Sequence, residues 1–316
     1  MTHAFAQEAA ARLEQEESRD ALERVCVVER RWGTGEETRI APLREHHNRI
    51  TFDIAVRTTS GWHQLIAKVY TEDRADLFQA MRAVARAGFG PEAEFSIPQA
   101  FAYLPALRVR LEEKVDGPSV NDLIETGRPD EWITAAERCG EWLGRFHRAA
   151  PRPENGRDLV AKLAHNRDAV THMLSLRSKA KALLARLEAL VPLAAPVMRC
   201  AGHGSYIPNH VILSGPRTIV IDLDDYDAAD PSRDVAWFLV SLQRRAIQRL
   251  DSPHALDDAA QAFLGAYRAS GPRGALDNLP LYRALMCLSR ARRDLYKHCP
   301  ALAAFMLDQA LQLVSV

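Results

Sequence analysis

Residues 200–236 constrain this chain more than any other stretch. A polar turn, Gly202-His203-Gly204-Ser205, leads into the apolar run Val211-Ile212-Leu213. Ser214-Gly215-Pro216-Arg217 then reverses the chain, and Thr218-Ile219-Val220-Ile221 runs into Asp222, Asp224 and Asp225. Gly and Pro between two short β-branched runs predict a hairpin. A second signal, Asp230-Pro231-Ser232-Arg233-Asp234-Val235-Ala236, follows within a few residues. Paired strands that end in carboxylates beside a histidine-rich turn can hold a metal ion and a polyanion, which suits phosphoryl transfer.

Composition narrows the alternatives. With 316 residues, 47% of them hydrophobic and 26% charged, the chain can bury a substantial core in one large or two moderate domains. Lys+Arg and Asp+Glu stand at 41 each, so no net field argues for nucleic acid or an anionic membrane as partner. Cys26, Cys139, Cys200, Cys287 and Cys299 lack the paired spacing of a disulfide framework or a zinc module. Residues 1–24 lack the apolar core of a signal peptide, and no run of about 18 apolar residues occurs. The expectation is a cytoplasmic protein.

Along the chain, Phe5, Ala9, Leu13, Ala21 and Leu22 recur at helical spacing and predict one amphipathic helix over 4–25. Strand character follows at 25–28, 50–57 and 64–70, the last two joined as a hairpin through Thr58-Thr59-Ser60-Gly61. Residues 73–88 read as a helix with Leu77, Met81 and Val84 on one face and Gly88 at its end. Residues 98–104 and 107–111 read as two further strands. Beyond residue 116 the periodicity is helical: 120–125, 132–149, helices within 159–190, one from Trp237, then 256–269, 281–291 and 302–313. The predicted class is α+β, with a small antiparallel β-sheet domain and its leading helix at 1–115 and a mainly α-helical domain at 116–316.

The run 200–236 resembles the core of the aminoglycoside phosphotransferase and choline kinase group, whose fold is protein-kinase-like. That group carries His-Gly-Asp-x-x-x-x-Asn, a hairpin, Ile-Asp-x-Glu/Asp, and then Asp-Pro-x-x-Asp-Leu-Ala. His203, Gly204, the hairpin, Asp222, Asp230-Pro231 and Asp234-Val235-Ala236 fall at the matching spacings. Three spaced elements together are far more specific than any one of them. Two positions depart: Ser205 stands where the group has its catalytic Asp, and His210 where it has a metal-binding Asn.

The resemblance implies a two-lobed fold that uses ATP or GTP with Mg²⁺ and phosphorylates a hydroxyl on a small molecule or a peptide. It assigns Asp222 to the metal, with His210 at the second ligand position. It places Lys68 on the α/β-phosphates, a Lys-holding residue on the following helix at Gln79, and an adenine-reading linker at 112–117 that includes Glu113. The phosphate-covering loop would be 44–49, where Arg49 and its neighbours supply charge in place of glycine amides.

The residues by themselves leave alternatives open. Lys68, in Leu65-Ile66-Ala67-Lys68-Val69-Tyr70, either meets an anion or lies on an edge strand facing water. The loop at 44–49 also reads as a solvated turn. Ser205 cannot accept a proton at neutral pH, so either Asp224, expected on the same strand face as Asp222, or Asp225 takes over as base, or the chain is a pseudokinase that binds nucleotide or a partner without turnover. A hydrolase reading makes Ser205 a nucleophile with His203 or His210 as base, against which Ser205 and His203 read as loop-holding groups. His147 reads as structural. Arg177, Lys179, Lys181 and Arg186 read as a solvated cluster or as a surface for an acidic substrate or partner, and Arg290, Arg292 and Arg293 near Asp294 read as surface or interhelical pairs.

Overall fold

A computed structural model describes residues 3–156, 159–171 and 173–315. The chain divides into two compact units, Met1–Asp116 and Gly117–Val316. The architecture is mixed α/β, with an antiparallel sheet in the N-terminal part and a helical C-terminal part. Among the described residues no helix is long and apolar enough to cross a membrane.

The first unit opens with α1 (His3–Leu13) and α2 (Glu16–Arg24), prolonged by a π-helical turn, Val25–Glu29. The expected single helix is broken at Glu14 and Gln15, whose Gln15 has extended backbone. The strand expected at 25–28 is instead the tail of α2. Val25 and Cys26 are buried as neighbours while Val27 and Val28 are exposed, which is not the alternation of a strand. Strands β1 (Glu37–Glu45), β2 (Arg49–Thr58), β3 (Gly61–Tyr70), β5 (Ala100–Leu104) and β6 (Val109–Glu113) form one sheet in the order β1-β2-β3-β6-β5. A two-residue strand, β4 (Phe95–Ser96), precedes β5, and α3 (Ala75–Val84) follows β3.

The pleat of β2 and β3 sorts their residues cleanly. Ile50, Phe52, Ile54 and Val56 of β2, with Leu65, Ala67 and Val69 of β3, face the core shared with α1 and α2. Thr51 lies opposite Lys68, and Asp53 opposite Ile66, on the other face. Burial of this one apolar face fixes the register, because a slip by one residue would carry Lys68 into the core. Strand β1 was not foreseen: as an edge strand with little buried surface, its sequence, Glu37-Thr38-Arg39-Ile40-Ala41-Pro42, offers almost no apolar alternation.

The second unit is built on α5 (Pro129–Ala149), which follows α4 (Val120–Thr126). Ser119 and Asp122 close a capping box on α4, and α5 begins on Pro129. Helix α9 (Asp257–Ser270) packs tightly on α5 because Gly140 and Gly144 present bare backbone to it. A Cβ on Gly140 would lie 3.0 Å from Tyr267 N, and one on Gly144 2.7 Å from Gly271 N. Between α5 and the central motif lie α6 (Leu159–Thr171) and α7 (Arg177–Leu190), with residue 172 of the predicted helical span outside the described residues. Strands β7 (Cys200–Gly202) and β10 (Asp227–Ala229) pair antiparallel and flank the hairpin β8 (Val211–Ser214) and β9 (Arg217–Val220). Helices α8 (Ser232–Leu250), α10 (Leu279–Tyr296) and α11 (Pro300–Leu313) complete the unit.

Candidate functional site

In the second unit the polar turn after β7 is held by one buried carboxylate. Asp234, in the first turn of α8, accepts from His203 N at 2.6 Å and from Gly204 N at 3.0 Å. Its other neighbours are Arg233 Nε at 3.3 Å and His147 Nε2 at 3.4 Å. Burial pushes the Asp234 carboxyl up, but Arg233, His147 and His203 outweigh it and hold the group well below the usual carboxylate range. Arg233 is secured in turn by Asp227 at 2.6 Å. The helix is started by Asp230, which accepts from Ser232 N at 2.8 Å and from Asn278 Nδ2 at 2.8 Å. The Asp-Pro-x-x-Asp segment thus joins α8 to the loop it supports.

The two histidines of the turn have assignable tautomers. His203 Nε2 lies 3.0 Å from the Ile221 carbonyl, which can only accept, so Nε2 carries the proton and Nδ1 receives Ser205 N–H at 3.4 Å. Burial lowers the pKa of this ring. His210 Nδ1 lies 2.9 Å from the Ser205 carbonyl and therefore donates to it. In the neutral ring Nε2 is then an acceptor, and it faces Asp222 Oδ2 at 3.6 Å. Two acceptors that face each other at this distance repel unless a proton or a cation lies between them.

Asp222 stands just beyond β9 in left-handed backbone, φ 68° and ψ 53°. For a non-glycine residue this costs about 1–2 kcal/mol, tolerated best by Asp and Asn. The turn aims its carboxylate at His210 instead of continuing the strand. The chain has left the strand at Val220, so Asp224 does not share a strand face with Asp222: it sits buried in a 3₁₀ turn, Leu223–Asp225. Asp225 is the exposed member of the pair. It packs against Gly204, which has φ 85° and no room for a side chain, since a Cβ there would lie 2.6 Å from Asp225 Cβ. Asp225 therefore stands one residue away from Ser205.

Ser205 contributes only backbone groups to the hydrogen bonds of this turn, and among the described residues neither His203 nor His210 bonds its Oγ. The serine-nucleophile arrangement is not formed. Tyr206 locks the next residue, donating from its buried hydroxyl to Cys139 O of α5 at 2.8 Å. His147 meets Tyr267 Oη at 2.8 Å and Asp234, a structural position as expected.

In the first unit Lys68 is on an internal strand and buried, so it is not an edge lysine facing water. Its ammonium lies 3.7 Å from Glu112 Oε1, and Glu112 Oε2 also meets Arg110 Nη2 at 2.9 Å. Arg110 is the cross-strand partner of Lys68 and lies under Tyr70, 5.5 Å from the ring centroid. Gln79, the expected lysine-holding residue, is exposed on α3, and Glu112 supplies a carboxylate from the sheet itself. Sequence reasoning assigned Glu112 to the linker and missed it. The signal was the period of two in Arg110-Leu111-Glu112, which puts both charges on one face.

Arg49, at the start of β2, pairs with Tyr70 in register and shares the Lys68 face. The loop before it is a tight hairpin turn closed by His46 N to Arg49 O at 2.8 Å. The Glu113 carboxylate receives Gln99 N–H at 3.1 Å, a structural bond. Among the described residues no group of three or more His, Cys, Asp or Glu side chains is arranged to hold a metal ion. Asp222 and His210, 3.6 Å apart, are a pair of protein donors that a cation would complete with ligand oxygens or water.

Comparison with known proteins agrees with the fold. The model of a family described as "Phosphotransferase enzyme family" matches residues 43–273, from the end of β1 past α9. No curated protein matches the chain significantly. Among solved structures, amicoumacin kinase in complex with AMP-PNP, Ca²⁺ and Ami superposes over 98% of this chain and 96% of its own, with TM-score 0.64 and 12% identity. A choline/ethanolamine kinase family protein from Mesorhizobium loti covers 95% of each chain, with TM-score 0.58 and 16% identity. Macrolide 2′-phosphotransferase from Brachybacterium faecium covers 92% of this chain and 98% of its own, with TM-score 0.54 and 16% identity. At these identities the likeness is one of fold.

Proposed function

The chain belongs to the phosphotransferase enzyme family, and on that premise we propose that it transfers the terminal phosphoryl group of ATP or GTP to a hydroxyl of a small molecule. The observation that carries the reading is the pair Asp222 Oδ2 and His210 Nε2, 3.6 Å apart, on a loop fixed by Asp234. Kinases of this fold solved with AMP-PNP and Ca²⁺, or with ADP and spectinomycin, support a nucleotide, a divalent ion and a small-molecule acceptor.

In the proposed reaction the acceptor oxygen bonds to the γ-phosphorus, the bond to the β–γ bridging oxygen breaks, and the hydroxyl proton leaves to a carboxylate. Lys68, steadied by Glu112, binds phosphate oxygens. Asp222 and His210 would hold a divalent ion, whose chemistry there would be to neutralise charge on the phosphates. Asp225, exposed beside Gly204, orients the acceptor hydroxyl and takes its proton, the task that Ser205 cannot perform. A general base contributes about 10²- to 10⁴-fold, so an imperfectly placed one makes this a slow enzyme.

The test is nucleotide binding with and without a divalent ion, in the natural protein and in Asp222→Asn, together with phosphate transfer from γ-labelled ATP. The natural protein should bind nucleotide with help from the ion, Asp222→Asn should lose that help, and Ser205→Asp should raise transfer by about 10²-fold or more. Absence of nucleotide binding, or binding indifferent to Asp222→Asn, overturns the reading. The position of Ser205 favours one second reading, a nucleotide-binding module without turnover. Its signature is unchanged binding with transfer appearing only in Ser205→Asp.

A further inference from the structure

Helices α8 and α10 enclose an arginine that lacks an anion. Arg290 is 9% exposed, and its guanidinium carbon sits 4.4 Å from the centroid of the Trp237 ring. One N–H, from Nη2, reaches Ser241 Oγ at 3.4 Å, and among the described residues nothing accepts from the buried Nε. The pairing with Asp294 expected from the sequence does not occur. Asp294 is gripped by both arms of Arg244, with Nε to Oδ2 at 3.1 Å and Nη2 on Oδ1. Glu125 is shared by Arg245 at 3.5 Å and Arg249 at 3.1 Å.

The surrounding field is therefore cationic. Burial pulls the Arg290 guanidinium down to about 9, Arg244, Arg293 and Arg245 act in the same direction, and Asp294 opposes them only in part. Stacking on an indole recovers some of the desolvation cost, but it satisfies none of the N–H donors. Such a site is completed by an oxyanion, which a guanidinium accepts through two parallel N–H bonds. Trp237, the floor of the site, is only partly buried, so the stack reaches the surface of the unit. It stands three residues along α8 from Asp234, about 4.5 Å along the helix axis.

We propose that Arg290, seated on Trp237 and flanked by Arg244, Arg245 and Arg293, binds a carboxylate or phosphate group. This site does not rest on the phosphotransferase reading. The experiment is thermal unfolding at fixed ionic strength, with no nucleotide or divalent ion, as sodium chloride is replaced by sodium phosphate or by sodium acetate. The natural protein should show a saturable rise in Tm with at least one of the two anions, and the stronger one names the chemistry. Arg290→Met, which keeps the stem and removes the charge, should show no such rise, and Arg290→Lys should need several-fold more anion. The rise should persist in Asp222→Asn, which separates this site from the one that carries the phosphotransferase reading. No saturable response in the natural protein, or the same response in Arg290→Met and Arg290→Lys, overturns the proposal.

Discussion

Asp234 shows how one side chain determines whether the central loop exists. It satisfies two consecutive backbone N–H groups and neutralises Arg233, all in a buried setting. Asp234→Asn keeps the volume but leaves Arg233 without that charge, and should destabilise the protein by about 3–5 kcal/mol in denaturant unfolding. The sign of the pH effect follows from the direction of the shift. A carboxylate held below its ordinary value of 3.8 contributes stability above that pH and loses it as the pH falls through and below it. Stability measured between about pH 5 and pH 2 should therefore fall more steeply in the natural protein than in Asp234→Asn. The sequence announced Asp234 through its motif. It offered Asp225 only beside Asp224, because adjacent aspartates in a turn cannot be ranked until the turn shows that one is buried and the other lies against Gly204.

At the scale of elements, β3 and β6 place two cations directly opposite each other, Lys68 and Arg110, with Glu112 bridging them. The two partners of Glu112 differ in what they do for the fold. Arg110 lies closer, at 2.9 Å, and is nearly inaccessible, whereas Lys68 lies at 3.7 Å. Glu112→Gln should thus cost about 3–5 kcal/mol, since it leaves two buried cations facing each other. Lys68→Met should leave the unfolding midpoint within about 1 kcal/mol, because an apolar side chain of similar volume replaces the weaker partner. The same variant should lose nucleotide binding, so equilibrium unfolding and nucleotide titration together separate the two roles. This arrangement was partly readable: β2 and β3 were plain from alternation and their turn, while β1, with its exposed Thr38 and Arg39, and the turn that extends α2 through Val25–Glu29 were not. Edge strands bury little, and β-branched residues extend a helix when tertiary packing favours it.

For the whole molecule, fold and family were legible because three separated signals in 200–236 agreed with the change from strand to helix periodicity. What stayed illegible was chemistry that depends on contacts distant in sequence, as with Glu112 beside Lys68 or Arg244 taking Asp294 from Arg290. Under the proposed phosphoryl transfer, metal choice belongs to this scale, because it would be read out in the stability of the complete nucleotide complex. The donor pair at Asp222 combines a carboxylate oxygen with an imidazole nitrogen whose tautomer is set by Ser205 O. Mg²⁺ favours all-oxygen octahedral shells, while Mn²⁺ accepts a nitrogen ligand more readily and binds such sites more tightly than Mg²⁺ does. A ligand that binds only the folded state stabilises it by about 2.7 kcal/mol at a hundred times its Kd. ATP should accordingly raise Tm more with Mn²⁺ than with Mg²⁺ at equal concentration. His210→Asn, which restores an oxygen donor at that position, should narrow or reverse the difference without lowering the Tm of the nucleotide-free protein by more than a few degrees. Equal shifts for the two ions in both proteins would place His210 outside the metal's coordination shell and return it to the purely structural role of bonding Ser205 O.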